Sequence, residues 1–146
     1  MKPRYRFEFV DEIATADAAF RASGDDLGQL FAACAAALFE TIVALDSIVP
    51  RRTLTLELAA ADRERLLYGW LSELVYLKDT RRELYSEFAA HIVQQGDEMI
   101  LRAEIKGESF DATRHAAGAD VKAVTYHRLE IRETDRGFEA LVVLDL

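Results

Sequence analysis

From Tyr5 to Val10 the residues alternate, Tyr5, Phe7 and Phe9 against Arg6, Glu8 and Val10. That two-residue period predicts a strand with one apolar face. Asp11 to Asp17 interrupts it with acidic ends and small residues between, and Ala18–Ser23 predicts a second short strand closed by Gly24. The period then changes. Asp26, with Gln29 three residues on, has the arrangement of a capping box. Leu27, Leu30, Phe31, Cys34, Leu38, Thr41, Ile42 and Leu45 follow at spacings of three and four. They predict a helix to about Leu45 with one core-facing stripe, and the alanines between positions 32 and 37 favour helix intrinsically. Pro50 ends the connection. Arg51–Ala59 sets Thr53, Thr55 and Glu57 against Leu54, Leu56 and Leu58, a strand with one wet face. Asp62 caps a second helix, to about Lys78, whose stripe is Leu66, Leu67, Trp70, Leu71, Leu74 and Leu77. Glu73 borders that stripe and reads as a rim carboxylate paired with a nearby arginine. Asp79–Arg82 reads as a polar turn.

Four strands are predicted beyond it: Glu83–Gln94, Glu98–Gly107, Val121–Glu133 and Phe138–Leu144. Gly96 and Gly137 stand at turns, where a left-handed backbone is needed. Ser109–Asp120, with Asp111, Arg114, His115 and Gly118, is the irregular part. No repeat, low-complexity tract or linker divides the chain. The order β β α β α and then four strands predicts one α+β domain spanning 1–146, with two helices packed on a mostly antiparallel β-sheet.

Composition narrows the function classes. A chain of 146 residues is long enough for a real core. Its net charge of −8, from 26 acidic and 18 basic side chains, argues against a general nucleic-acid binder. It suits a cation or a basic protein partner. The single cysteine, Cys34, lies on the apolar side of the first helix and reads as a buried thiol; it excludes an internal disulfide and a thiolate-rich zinc site. Charges break every apolar run of the N-terminal segment, so no signal peptide is expected. No apolar stretch approaches the roughly 20 residues that span a bilayer. The expected location is the cytoplasm.

Candidate chemistry centres on Val121–Glu130. It reads as a central strand with Val121, Ala123, Thr125, His127 and Leu129 on one face and Lys122, Val124, Tyr126, Arg128 and Glu130 on the other. Lys122, among apolar neighbours, needs a carboxylate or phosphate partner or a path to water. Lys122 and His127 fall on opposite faces, so one site cannot use both without a bulge. A second signal is carboxylates at strand ends: Asp11, Glu12, Asp17 and Asp145, the last beside the main-chain oxygens of Leu146. Oxygens of this kind suit a hard cation such as Ca²⁺, Mg²⁺ or Mn²⁺. His91 and His115 have no metal-ligand spacing. No Gly-rich phosphate loop, Gly-x-Ser-x-Gly elbow, His-x-x-x-His pair or dinucleotide fingerprint is present.

Four segments together resemble the archease family over nearly the whole chain. They are Thr15-Ala16-Asp17 with Phe20 and Gly24; Leu66 to Leu74, read LLYGWLSEL; Val121 to His127, read VKAVTYH; and the ending Val143-Leu144-Asp145-Leu146. The resemblance implies an accessory protein of the tRNA-splicing RNA ligase that helps it become guanylylated and turn over repeatedly; the negative charge leaves contact with RNA to that partner. It implies a divalent cation, calcium by likeness, with Asp17, Asp145 and Leu146 as ligands. It implies a functional lysine at Lys122, with Glu73 and His127 as candidates for the surrounding shell. Where the family usually has an acidic residue and a histidine before Thr-Ala-Asp, this chain has Ile13 and Ala14. Two other readings remain. A small metal-dependent phosphoester hydrolase would need His127, as base, close to Asp17 and Asp145. A chaperone-like interaction domain would need no metal site.

Overall fold

The computed structural model describes residues 4–10 and 17–146. Asp11, Glu12, Ile13, Ala14, Thr15 and Ala16, on which several expectations fall, lie outside them. The described elements run β1 (Tyr5–Phe9), β2 (Asp17–Gly24), α1 (Leu27–Ile42), β3 (Arg52–Ala60), α2 (Arg63–Arg81), β4 (Glu83–Gln95), β5 (Glu98–Ser109), β6 (Ala123–Val124), β7 (Glu130–Thr134) and β8 (Gly137–Asp145). A short 3-10 turn, Leu45–Ser47, follows α1.

The strands form two sheets, and every pairing is antiparallel. One has the order β1-β2-β8-β6, with β7 also on β8; the other is β3-β5-β4. The antiparallel α+β expectation holds, with two sheets in place of one. Alternation decides which residues face inward. Phe20 and Ala22 of β2 and Ala140, Val142 and Leu144 of β8 are buried, as are Leu101, Ala103 and Ile105 of β5.

Both helices start where the sequence indicates. Asp26 and Asp62 each accept the backbone N–H three residues on, at 2.7 and 2.8 Å, which satisfies a donor that the first turn leaves free. Helix α1 differs from its predicted single stripe. It contacts β1, β2 and β8 of one sheet and β4 of the other. Every residue from Leu30 to Phe39 is buried. Its alanines, which a stripe analysis leaves facing water, let a second layer approach closely. Burial all round is the expected state of a helix apolar all round. Cys34 is fully buried, which pushes its thiol far above the usual cysteine range. Trp70 of α2 donates its indole N–H to the Phe31 carbonyl at 2.9 Å and ties the helices together.

The boundaries shift in three places. Helix α1 stops at Ile42, short of Leu45. Helix α2 continues to Arg81, so most of the predicted polar turn is its last turn, and Arg82 closes it with a left-handed backbone, φ 54°. The predicted strand Val121–Glu133 is two strands, β6 and β7, separated by a turn. Gly96 and Gly137 hold the left-handed turns expected of them, φ 64° and 142°. At Gly137 a side chain would also strike the Gly24 carbonyl.

Candidate functional site

Strand β8 runs through the middle of the larger sheet and carries the C-terminal aspartate to its end. There Asp145 is paired with Asp17 of β2 on one side and Ala123 of β6 on the other. Directly opposed residues on neighbouring antiparallel strands have Cβ atoms about 4.5–5.5 Å apart and side chains on the same face. Two carboxylates predicted from opposite ends of the sequence therefore stand side by side. They share a face with Ala19 and Val143, which are buried further along the same strands. Asp145 is exposed and Asp17 half-buried. Among the described residues neither carboxylate forms an ion pair, and like charges directly opposite one another repel.

Lys122 is at the same end. Its backbone N–H donates to the Asp145 carbonyl at 2.8 Å, and its side chain is exposed. The predicted conflict with burial does not arise, because the chain is entering the sheet edge at this point. Alternation gives the carboxylate face to Ala123, so the Lys122 side chain leaves the strand off that face. Leu146 follows Asp145 and packs against the core.

His127 is exposed in the turn beyond β6, its backbone N–H donated to Thr125 Oγ1 at 3.3 Å. Among the described residues no hydrogen bond or ion pair joins it to Asp17 or Asp145. Its separation from Lys122 arises from this turn and not from opposite faces of one strand. Glu73 is half-buried on α2. It makes no ion pair among the described residues, so the arginine partner expected for it is absent there.

A fit to a hard cation can be judged from the donors. The pair supplies oxygen and neither nitrogen nor sulfur, which suits calcium, magnesium or manganese better than zinc. Two carboxylates fall short of the six to eight oxygens calcium takes. Among the described residues no group of three or more His, Cys, Asp or Glu side chains completes the set. Main-chain oxygens, water and the residues outside the described set are the remaining sources.

A second polar centre escaped the sequence reading. Glu108 is 3% exposed. Its oxygens accept Val49 N–H at 2.8 Å, Arg51 Nε at 3.1 Å and Arg114 Nη2 at 2.7 Å. His115, also buried, places Nε2 2.9 Å away. Its Nδ1 accepts the Asp111 N–H at 2.9 Å, so the ring is neutral with its proton on Nε2, donated to Glu108. The Arg114 guanidinium, helped by the other donors, holds the Glu108 carboxyl far below the usual glutamate range. Thr113 and Arg114 hold Asp111 low as well. This centre pins the irregular 110–120 segment to the end of β5. Alternation alone assigns Glu108 to the wet face with Lys106 and Glu104, and the covering loop reverses that.

Comparison with known proteins agrees with the architecture. The model of the Archease protein family matches residues 7–146. The chain is 38% identical to the protein archease of Methanothermobacter thermautotrophicus, over 96% of this chain and 98% of that one. It is also 38% identical to the protein archease of Pyrococcus furiosus, over 84% and 87%. The solution structure of Methanobacterium thermoautotrophicum protein 1598 superposes with a TM-score of 0.85 at 38% identity, covering 96% and 98%. The crystal structure of an archease, possible chaperone, from Thermotoga maritima shares the fold, with a TM-score of 0.58 at 20% identity over 95% and 98%.

Proposed function

From the premise that the chain belongs to the archease family, we propose that it is a non-catalytic accessory protein of the tRNA-splicing RNA ligase. The observation that carries this is the convergence of Asp17, Asp145 and the Lys122 backbone at one end of the larger sheet. In this reading Asp17 and Asp145, with main-chain oxygens near Leu146, hold a divalent cation. The cation, when bound, supplies positive charge for phosphate oxygens at the partner's active site. Asp17 and Asp145 fix its place at two paired strand ends. Lys122, at the same end of the sheet, engages a phosphate or a ligase carboxylate as a mobile point charge. The outcome is assistance to nucleotidyl transfer onto the ligase, and so repeated turnover. The same strand-end position, exposed and level with the sheet edge, suits docking in another protein's cleft better than enclosing a substrate.

The test is RNA ligation by the ligase of the same organism with substrate in large excess. With this protein present, a single turnover should become many. Lys122→Ala should abolish that stimulation while shifting stability by no more than about 0.5 kcal/mol, as for an exposed side chain. Full stimulation by Lys122→Ala would remove the lysine from the mechanism. No stimulation by the wild type of an active ligase would remove the accessory role.

A further inference from the structure

The turn between β6 and β7 breaks a run of residues that favours a strand, and the break has a specific geometry. Thr125 donates its hydroxyl to the Val143 carbonyl at 3.0 Å and its backbone N–H to the same carbonyl at 3.1 Å. Its Oγ1 then accepts the N–H of His127, and Leu129 N–H closes the turn onto the Tyr126 carbonyl at 3.1 Å. Arg128 takes a left-handed backbone, φ 56°, which is uncommon for a residue other than glycine. Such conformations persist where the surroundings enforce them, often at functional positions.

The result is to lay Tyr126 flat on Tyr68 of α2. Their ring centroids are 3.9 Å apart and the planes 13° from parallel. Tyr126 is nonetheless 55% exposed. One ring face is covered by Tyr68, so the exposure belongs to the opposite face and the edge. An open aromatic face backed by a second ring is a rigid platform of the kind on which a nucleobase stacks. The residues flanking it in sequence are basic: Lys122, His127 and Arg128 lie within a run that has no acidic residue from Val121 to Leu129. All three are exposed, and among the described residues none of their side chains is engaged in a hydrogen bond or ion pair. Lys122 precedes Tyr126 by four residues, at most about 13 Å of extended chain. That is the scale of a base with its sugar and phosphates.

We propose that the Tyr68–Tyr126 stack is a nucleotide-binding platform: one base stacks on Tyr126, and Lys122 with Arg128 receives its phosphate. A single nucleotide fits better than a long single strand. Only one ring face is open, and the net charge of −8 repels an extended polyanion. A purine has the larger stacking surface and is the preferred base. The platform concerns a ligand of this chain itself; it shares Lys122 with the accessory role, and Tyr126, which that role does not use, tests it separately.

The test is equilibrium titration of the isolated full chain with guanosine 5′-monophosphate, uridine 5′-monophosphate and a six-nucleotide RNA, followed by ligand-detected NMR. Wild type should bind the purine nucleotide more tightly than the pyrimidine. Tyr126→Ala should weaken purine binding by about tenfold, the lower part of the range for loss of one stacked base. Tyr126→Phe keeps the ring and should stay within about twofold of wild type. Absence of binding by the wild type would overturn the proposal. So would equal binding by Tyr126→Ala, which would make the stack a packing contact only. Binding of the hexanucleotide far above the mononucleotide would overturn the single-base assignment.

Discussion

Two acidic centres of this molecule are built in opposite ways. Glu108 is buried, and four donors from two segments converge on it. Asp17 and Asp145 are a like-charged pair at a strand end, with no cationic partner among the described residues. A carboxylate enclosed by arginines has its interactions completed by the fold and has little left to offer a ligand. Two carboxylates set side by side by register have their repulsion relieved only by something that is not part of the described chain. The difference separates a charge that holds the structure from charges that wait for a partner, although all three are acidic residues near strand ends.

The largest effect is expected at Glu108. Glu108→Ala leaves His115 and the Val49 N–H without their acceptor, and removing one member of a buried charged cluster costs about 3–5 kcal/mol. Because the Arg51 and Arg114 side chains are 62% and 40% exposed, the lower end, about 3 kcal/mol, is expected in urea denaturation. A loss below about 1 kcal/mol would mean that the cluster does not hold the loop. Divalent cation gives the next effect. Calcium or manganese at a hundredfold excess over its dissociation constant should stabilise the wild type by about 2.7 kcal/mol, read as a rise in melting temperature. Asp145→Ala should lose that rise. An equal rise in the variant would place the cation elsewhere. Acid should produce a smaller change. The folded-state pKa of Glu108 is depressed, so its contribution is full above the ordinary glutamate range and is lost as pH falls from there towards the folded-state value. Melting temperature measured from pH 6 downward should therefore decline more gently in Glu108→Gln than in wild type. Parallel declines would assign acid sensitivity to other carboxylates.

Much of the architecture could be read from spacing. The two N-caps, the start of each helix, the alternation of β3, β4 and β5 and the glycine turns follow from local chemistry. So do the strand-end positions of Asp17 and Asp145, although their pairing does not. It depends on register between β2 and β8, which lie at opposite ends of the chain. The exception is Val121–Glu133, which the structure divides into β6 and β7. Valine, threonine and tyrosine there fit a strand, but Thr125 bonds back to Val143 and Tyr126 finds Tyr68, and neither partner is local. Glu108 was hidden for the same reason. In a strand that alternates regularly, a glutamate at a wet position has no mark that a loop will cover it.

Helix α1 is the common wall of two rooms. The larger sheet packs on that helix through β1, β2 and β8 and the smaller one through β4, so losing the helix uncovers part of both. A chain organised this way has no durable half-formed state, and the amides in the middle of α1 exchange with solvent only when the whole molecule opens. The alanines of α1 between positions 32 and 37 are all buried. Enlarging one of them has no empty side to expand into, so sequence drift at this helix is restrained from two directions at once.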